Sequence, residues 1–286
     1  MENTAKNKRL ILAILAVVVG LFMMYVTPFI IQTSLERVMV ELTKVSAEKP
    51  AYSSGILLFS FLFPIYRGFI FVAGVILVLI SGSIYKGKEW TYPTGLLVSA
   101  FPSAGGMFMM LPYVSFVDGF PLPIIISMVG LSFFWTLIFI RDVSKVQKWG
   151  QFLSMTFAGM LTTHTFTVGT GNLRMLLTRP DKPLYSGLET WVLAWSSPIQ
   201  WICVILLFVS IYLLSAKKIA GWWIALIAGV SIIAIDLPTQ VIRSLLTDAT
   251  SVDYLIGSLL AAGLLFSILF PKFKKELVFQ SDLQES

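Results

Sequence analysis

Residues 6–32 read KNKRLILAILAVVVGLFMMYVTPFIIQ. Lys6, Lys8 and Arg9 lead into a charge-free apolar run from Leu10 to Ile31, long enough to cross a bilayer, which takes about 20 residues. A cleavable signal would have a shorter apolar core and a small-x-small cleavage site. This run has neither feature, so it reads as a retained membrane helix.

Outward from this run the pattern repeats. Eight apolar segments are expected, at 10–32, 56–85, 94–117, 119–140, 150–171, 188–215, 221–238 and 252–270. The 286-residue chain is 57% apolar and 13% charged, with a mean hydropathy of +0.85. Soluble domains carry roughly 25% charged residues. The expectation is an all-α integral membrane protein: a single polytopic membrane domain over 1–286, with about eight transmembrane helices.

Lysine and arginine set the orientation of such a chain, because short cytoplasmic loops retain them. Placing the N-terminus inside puts 13 of the 21 cations on the cytoplasmic side, seven outside, and Arg67 within a span. Both termini are then cytoplasmic, and every inner loop is basic. A cell membrane is implied, with the cytoplasmic membrane of a prokaryote the expected one.

The inner loops, such as YKGKEW at 85–90 and SAKKIAGWW at 215–223, are too short to hold a domain. No phosphate-binding or dinucleotide-binding glycine motif occurs, and no Cys/His cluster has metal-ligand spacing. Expected partners are membrane lipids, with other membrane or peripheral subunits as a further option, without nucleic acid and without a cofactor. A membrane enzyme needs a nucleophile with a base, or a set of paired acids. The single cysteine, Cys203, lies mid-segment in QWICVILL, and no Glu-Glu pair occurs. An enzyme is therefore disfavoured.

Several segments carry irregularities. After the first comes TSLERVMVELTKVSAEKP at 33–50, where Leu35, Val38, Leu42 and Val45 recur at helical spacing opposite charged residues. It reads as an outer amphipathic helix along the surface or capping the bundle. Pro64 and Gly68 flank Arg67 and predict a kink or break near the outer interface. The third segment holds Pro102, Gly105, Gly106 and Pro112 and a small stripe of Gly95, Ser99 and Ser103. Such a stripe admits close helix packing, or else marks a discontinuous helix like those of transporters.

The functional reading rests on TTHTFTVGTGNLRMLLTRPDK at 162–182, which contains the only histidine, His164. Thr156, Gly159, Thr163, Thr167, Thr170 and Arg174 follow one another at steps of three or four, making one small-polar helix stripe. Such a stripe faces other helices or a wet cleft, and Gly169 and Gly171 are expected to loosen the helix where it emerges. His164 is expected either to be bonded to neighbouring threonines or carbonyls, or to handle a proton or a quinone.

Asp236 should lie just inside the outer boundary and meet an arginine or lysine, because an unpaired buried charge is costly. Gln200 lies about three turns into the sixth segment. Trp191 and Trp195 fit an interfacial belt, whereas Trp201 is deep for one. Arg174, Arg179, Lys182 and Arg243 fall outside, where they serve salt bridges to Asp181, Glu189, Asp236 and Asp248 or hold an anion. Arginine's planar fork suits a carboxylate or phosphate.

The candidate ligand-binding set is therefore Arg174, Arg243, Thr163, Thr167, Thr170, His164, Asp236 and Gln200. The expected function is a transporter-like or membrane-complex subunit, with an outer polar vestibule for an anionic solute or lipid headgroup. The alternatives are a quinone- or lipid-binding subunit of a redox complex, and a lipid-modifying enzyme.

Overall fold

Every apolar segment becomes a helix in the computed structural model, which describes residues 2–177, 187–246 and 252–278. The helices are α1 (Glu2–Leu21), α2 (Thr27–Glu48), α3 (Ser53–Tyr85), α4 (Thr91–Phe116), α5 (Pro123–Phe139), α6 (Lys145–Leu177), α7 (Leu188–Ser215), α8 (Ile219–Leu246), α9 (Asp253–Leu269) and α10 (Pro271–Leu277). No strand occurs among the described residues. Arg179, Asp181, Lys182 and Asp248 lie outside them.

Two opposite ends are defined by contacts between loops and termini. At the basic end Lys8 pairs with Asp142, the Arg9 guanidinium packs on Gly87, and Ser144 donates to Glu276 at 3.3 Å. At the other end Arg37 donates to the Tyr113 hydroxyl at 2.9 Å, and the Tyr52 and Phe116 rings meet at 5.9 Å. The helices therefore alternate in direction.

Five helical stretches are long and apolar enough to cross a membrane, or six if α9 and α10, bent by 75° at Phe270, count as one span. The other two segments fall short for different reasons. The α5 helix has only 17 residues, and the threonine-rich α6, at 33 residues, has ample length but is not among the apolar set.

The amphipathic segment after the first run is a helix, but not a separate surface element. A π-turn at Phe22–Val26 joins α1 to α2, giving one 44-residue stretch from Ala5 to Glu48. Ile31, Ser34, Val38 and Leu42 are buried where α2 packs along α3 and α4. The π-turn absorbs the extra residue without breaking the hydrogen-bond ladder, so Pro28 begins α2 without ending α1.

No break interrupts these helices: α3 runs through Pro64 and α4 through Pro102 and Pro112, and α8 likewise continues through Pro238. Arg67 instead donates to Gln32 on α2 at 3.1 Å.

The glycines serve close approach. A Cβ on Gly20 would stand 2.7 Å from the Gly74 carbonyl oxygen, and one on Gly74 would stand 2.7 Å from that of Gly20. A Cβ on Gly106 would stand 2.5 Å from the Ser127 nitrogen and 2.8 Å from the Pro123 oxygen. Small residues let these backbones touch where apolar lipid supplies no hydrophobic drive for association. The small residues of α4 therefore belong to helix packing, and the discontinuous-helix alternative is overturned.

Candidate functional site

The site begins with α6, which runs unbroken to Leu177, so Gly169 and Gly171 do not loosen it. Gly169 lies against Trp201 and Gln200, where a Cβ would stand 3.1 to 3.3 Å from their atoms. On another face of the same helix, a Cβ at Gly159 or Gly171 would meet nothing within 4 Å.

That open face borders a cavity of about 810 Å³ enclosed by α4, α5, α6, α7, α8 and α9. Thr156, Gly159, Thr163, Thr167, Gly171 and Arg174 line it, so the stripe read from the sequence is largely a cavity wall. Thr170 is the exception. It is 4% exposed and donates to the Phe166 carbonyl at 2.8 Å, away from the cavity. At about 100° per residue Thr170 falls within about 20° of Thr163, inside the arc from Gly159 to Gly171, so its packed neighbours and not its spacing take it off the wall.

The cavity's chemistry is uneven along its length. Arg174, Arg243, Asp253, Tyr254 and His164 stand toward the end where α6 finishes. Toward the other end the walls are Phe134, Trp135, Met155, Phe208 and Ile211. Among the described lining residues, the charged groups at the polar end are the guanidiniums of Arg174 and Arg243 and the carboxylate of Asp253.

The threonine wall is less polar than its composition. Thr163 donates to the Gly159 carbonyl at 3.1 Å and Thr167 to the Thr163 carbonyl at 2.9 Å. Ser103, Ser115, Ser127 and Thr162, also on the wall, donate to main-chain carbonyls at 2.7 to 2.8 Å. Each hydroxyl proton is committed to the backbone, a habit of serine and threonine in helices.

Behind the polar end lies a buried network. Tyr254 on α9 donates to Asn172 Oδ1, and Asn172 Nδ2 donates to Ser196 at 2.8 Å and to Gln200 Oε1 at 3.0 Å. Gln200 Nε2 in turn donates to Asp236 Oδ1 at 2.8 Å. Asp236 and Gln200 are 1% and 0% exposed, and neither lines the cavity. The cation expected beside Asp236 is absent among the described residues, and its partner is the Gln200 amide. A neutral donor satisfies the carboxyl without bringing a second charge into the core.

Arg243 lies 5.5 Å over the Tyr254 ring, which joins the mouth of the cavity to the network. The Arg174 guanidinium lies 5.0 Å over the Tyr52 ring, and its carbonyl accepts from Ser54 at 3.1 Å.

His164 faces the carboxylate and backbone of Asp253. Its Nδ1 is buried and has no partner among the described residues, so the neighbouring threonines do not satisfy it. Nδ1 and Asp236 Oδ2 would stand 3.2 and 2.3 Å from a Cβ on Gly257, so the glycine leaves room for both groups. No cluster of three or more His, Cys, Asp or Glu is arranged for a metal among the described residues.

Sequence reading missed Asn172, Tyr254 and Asp253. Tyr254 resembles an interfacial aromatic in its own segment, and only the α6–α9 contact turns it toward Asn172. Trp191 and Trp195 are exposed and pair at 4.9 Å, whereas Trp201 packs on Phe166 at 4.7 Å, consistent with its depth. Comparison of the chain with protein-family models, with curated proteins and with solved structures returns no match.

Proposed function

We propose that the protein crosses the membrane eight times with both termini in the cytoplasm. In this reading the polar end of the cavity is an outer vestibule that takes up an anionic solute or lipid headgroup. The protein then works as a transporter-like or membrane-complex subunit. Topology is supported by the eight helical segments and by Lys8, Arg9, Asp142, Ser144 and Glu276 meeting at one end.

One observation carries the binding function. Thr163, Thr167, Arg174 and Arg243, up to 80 positions apart in the chain, line a single cavity of about 810 Å³. Ligand sites fall in the range of about 300–1,000 Å³, with few polar groups on mostly apolar walls. Arginine presents a planar fork to carboxylate or phosphate.

The test is a melting curve of the purified protein with and without anionic lipid or solute. The parent should melt higher with the anion. Arg174→Lys should keep the parent's melting point without ligand and show a smaller shift with it. If no anionic lipid or solute moves the parent, the vestibule is not an anion site.

A second reading is favoured by one atom. The partnerless Nδ1 of His164, beside the cavity, suits a carbonyl ligand of the quinone class. A melting shift with a neutral quinone that His164→Leu abolishes would support it over the anion reading.

A further inference from the structure

We infer that the occupant of the cavity is a long-chain amphiphile, its anionic head at Arg174 and Arg243 and its chain lying along α6 toward Trp135 and Phe208. This deepens the anion-binding reading and rests on it, because a soluble anion would need only the polar end.

Four observations converge. The first is length. Thr156 and Arg174 both line the cavity and lie eighteen positions apart on one helix, about 27 Å along its axis. That is close to the thickness of a hydrocarbon core, about 30 Å.

The second is the chemistry of the long wall. Its Ser103, Ser127, Thr163 and Thr167 hydroxyls already donate to carbonyls and Thr156 accepts from Trp135, so below the arginines the wall offers methyl groups, aromatic rings and few donors. A small hydrated anion gains nothing there, whereas each methylene removed from water is favourable.

The third is space. Gly159 and Gly171 have nothing within 4 Å of where a Cβ would stand, so the wall is open along the middle of its length.

The fourth is access. Met107, Leu111, Met160 and Ile256 line the cavity and are also 38–50% exposed, so the cavity opens sideways between α4 and the α6–α9 pair. A molecule already in the membrane can enter through such a slot with its head at the interface. Among the described residues lining the cavity, the charged side chains are Arg174, Arg243 and Asp253, a set suited to a negative head.

The experiment measures melting shifts of the full-length protein with inorganic phosphate and with single-chain alkyl phosphates of increasing length. Each is compared at matched free concentration for the parent, Gly159→Leu, Gly171→Leu and Arg174→Lys. In the parent, apparent affinity should rise with chain length, by up to about fourfold per methylene while the chain still fills the cavity. Gly159→Leu adds a side chain where no protein atom stands, so it should fold. It should bind short alkyl phosphates like the parent and lose the gain from longer chains.

Gly171→Leu, nearer the mouth, should weaken every alkyl phosphate and provides a second blocking variant. Arg174→Lys should weaken all lengths equally. If inorganic phosphate matches the longest alkyl phosphate, or Gly159→Leu keeps the parent's dependence on length, the chain does not lie in the cavity and the head site stands alone. If nothing shifts the parent, the anion site fails as well.

Discussion

Gln200 on α7 donates its amide to Asp236 on α8 at 2.8 Å and receives the Asn172 amide of α6 at 3.0 Å. One side chain thus ties three helices together. Neither it nor Asp236 reaches the cavity, so this pair positions the wall without touching an occupant.

Gln200→Leu should therefore lower the melting temperature. It leaves Asp236 without its Gln200 donor and takes from Asn172 one of its two acceptors, Ser196 remaining, at about 1–3 kcal/mol for a buried group left unsatisfied. Adding Asp236→Leu should cost less in the Gln200→Leu background than in the parent, because the pair acts as a unit. Additive losses in a double-mutant cycle would show that the two residues do not support each other.

Gly106→Ala should be strongly destabilising and Gly68→Ala mildly stabilising. The first places a methyl 2.5 Å from the Ser127 backbone nitrogen, which cannot yield without separating α4 from α5. The second meets nothing within 4 Å and gains about 1 kcal/mol in helix propensity. Thermal unfolding of both variants in one detergent checks the contrast.

Thr167 and Phe166 should separate binding from stability. A leucine at either position tests whether the threonine face has a special environment, and the sequence stripe alone suggests that Thr167→Leu is the more harmful. The structure reverses that for folding. Phe166 meets Tyr66 at 5.2 Å, Phe108 at 4.7 Å and Trp201 at 4.7 Å, so Phe166→Leu should cost on the order of 1–2 kcal/mol. Thr167→Leu should fold and alter the melting shift given by an anionic amphiphile. Equal losses of stability from the two would contradict the assignment of faces.

Topology is open to labelling. A cysteine at Ser46 should react with an impermeant maleimide in intact cells, and one at Ser144 should not. Native Cys203, 1% exposed, should stay unreacted. Reaction at Ser144 would invert the proposed orientation.

The Lys8–Asp142 pair predicts a small dependence on acid. The hydrogen bond from Lys8 holds the Asp142 carboxyl below its ordinary value of 3.8. A carboxyl lowered in the folded state stabilises above its unfolded value and loses that contribution as pH falls through the folded one. Asp142→Asn should melt slightly lower than the parent at neutral pH. The difference should vanish in acid below pH 3.8 and in high salt, which screens an exposed pair.

The sequence by itself determined the helical class, the presence of several membrane-length apolar helices, the burial of Val38 and Leu42 on α2, and most of the α6 wall. These follow from composition and from a 3.6-residue period, both of which are local properties. It overstated the chance of a break at Pro64, Pro102, Gly169 and Gly171, because a helix packed against its neighbours stays helical where an isolated one would fray. It could not place Thr170 off the wall, since steps of three and four drift around a helix and only the packed neighbours decide which residue faces the void. Nor could it pair Gln200 with Asp236, or Tyr254 with Asn172. A buried polar group takes whichever partner the crossing helices bring within 3 Å, and that choice is made by tertiary packing alone.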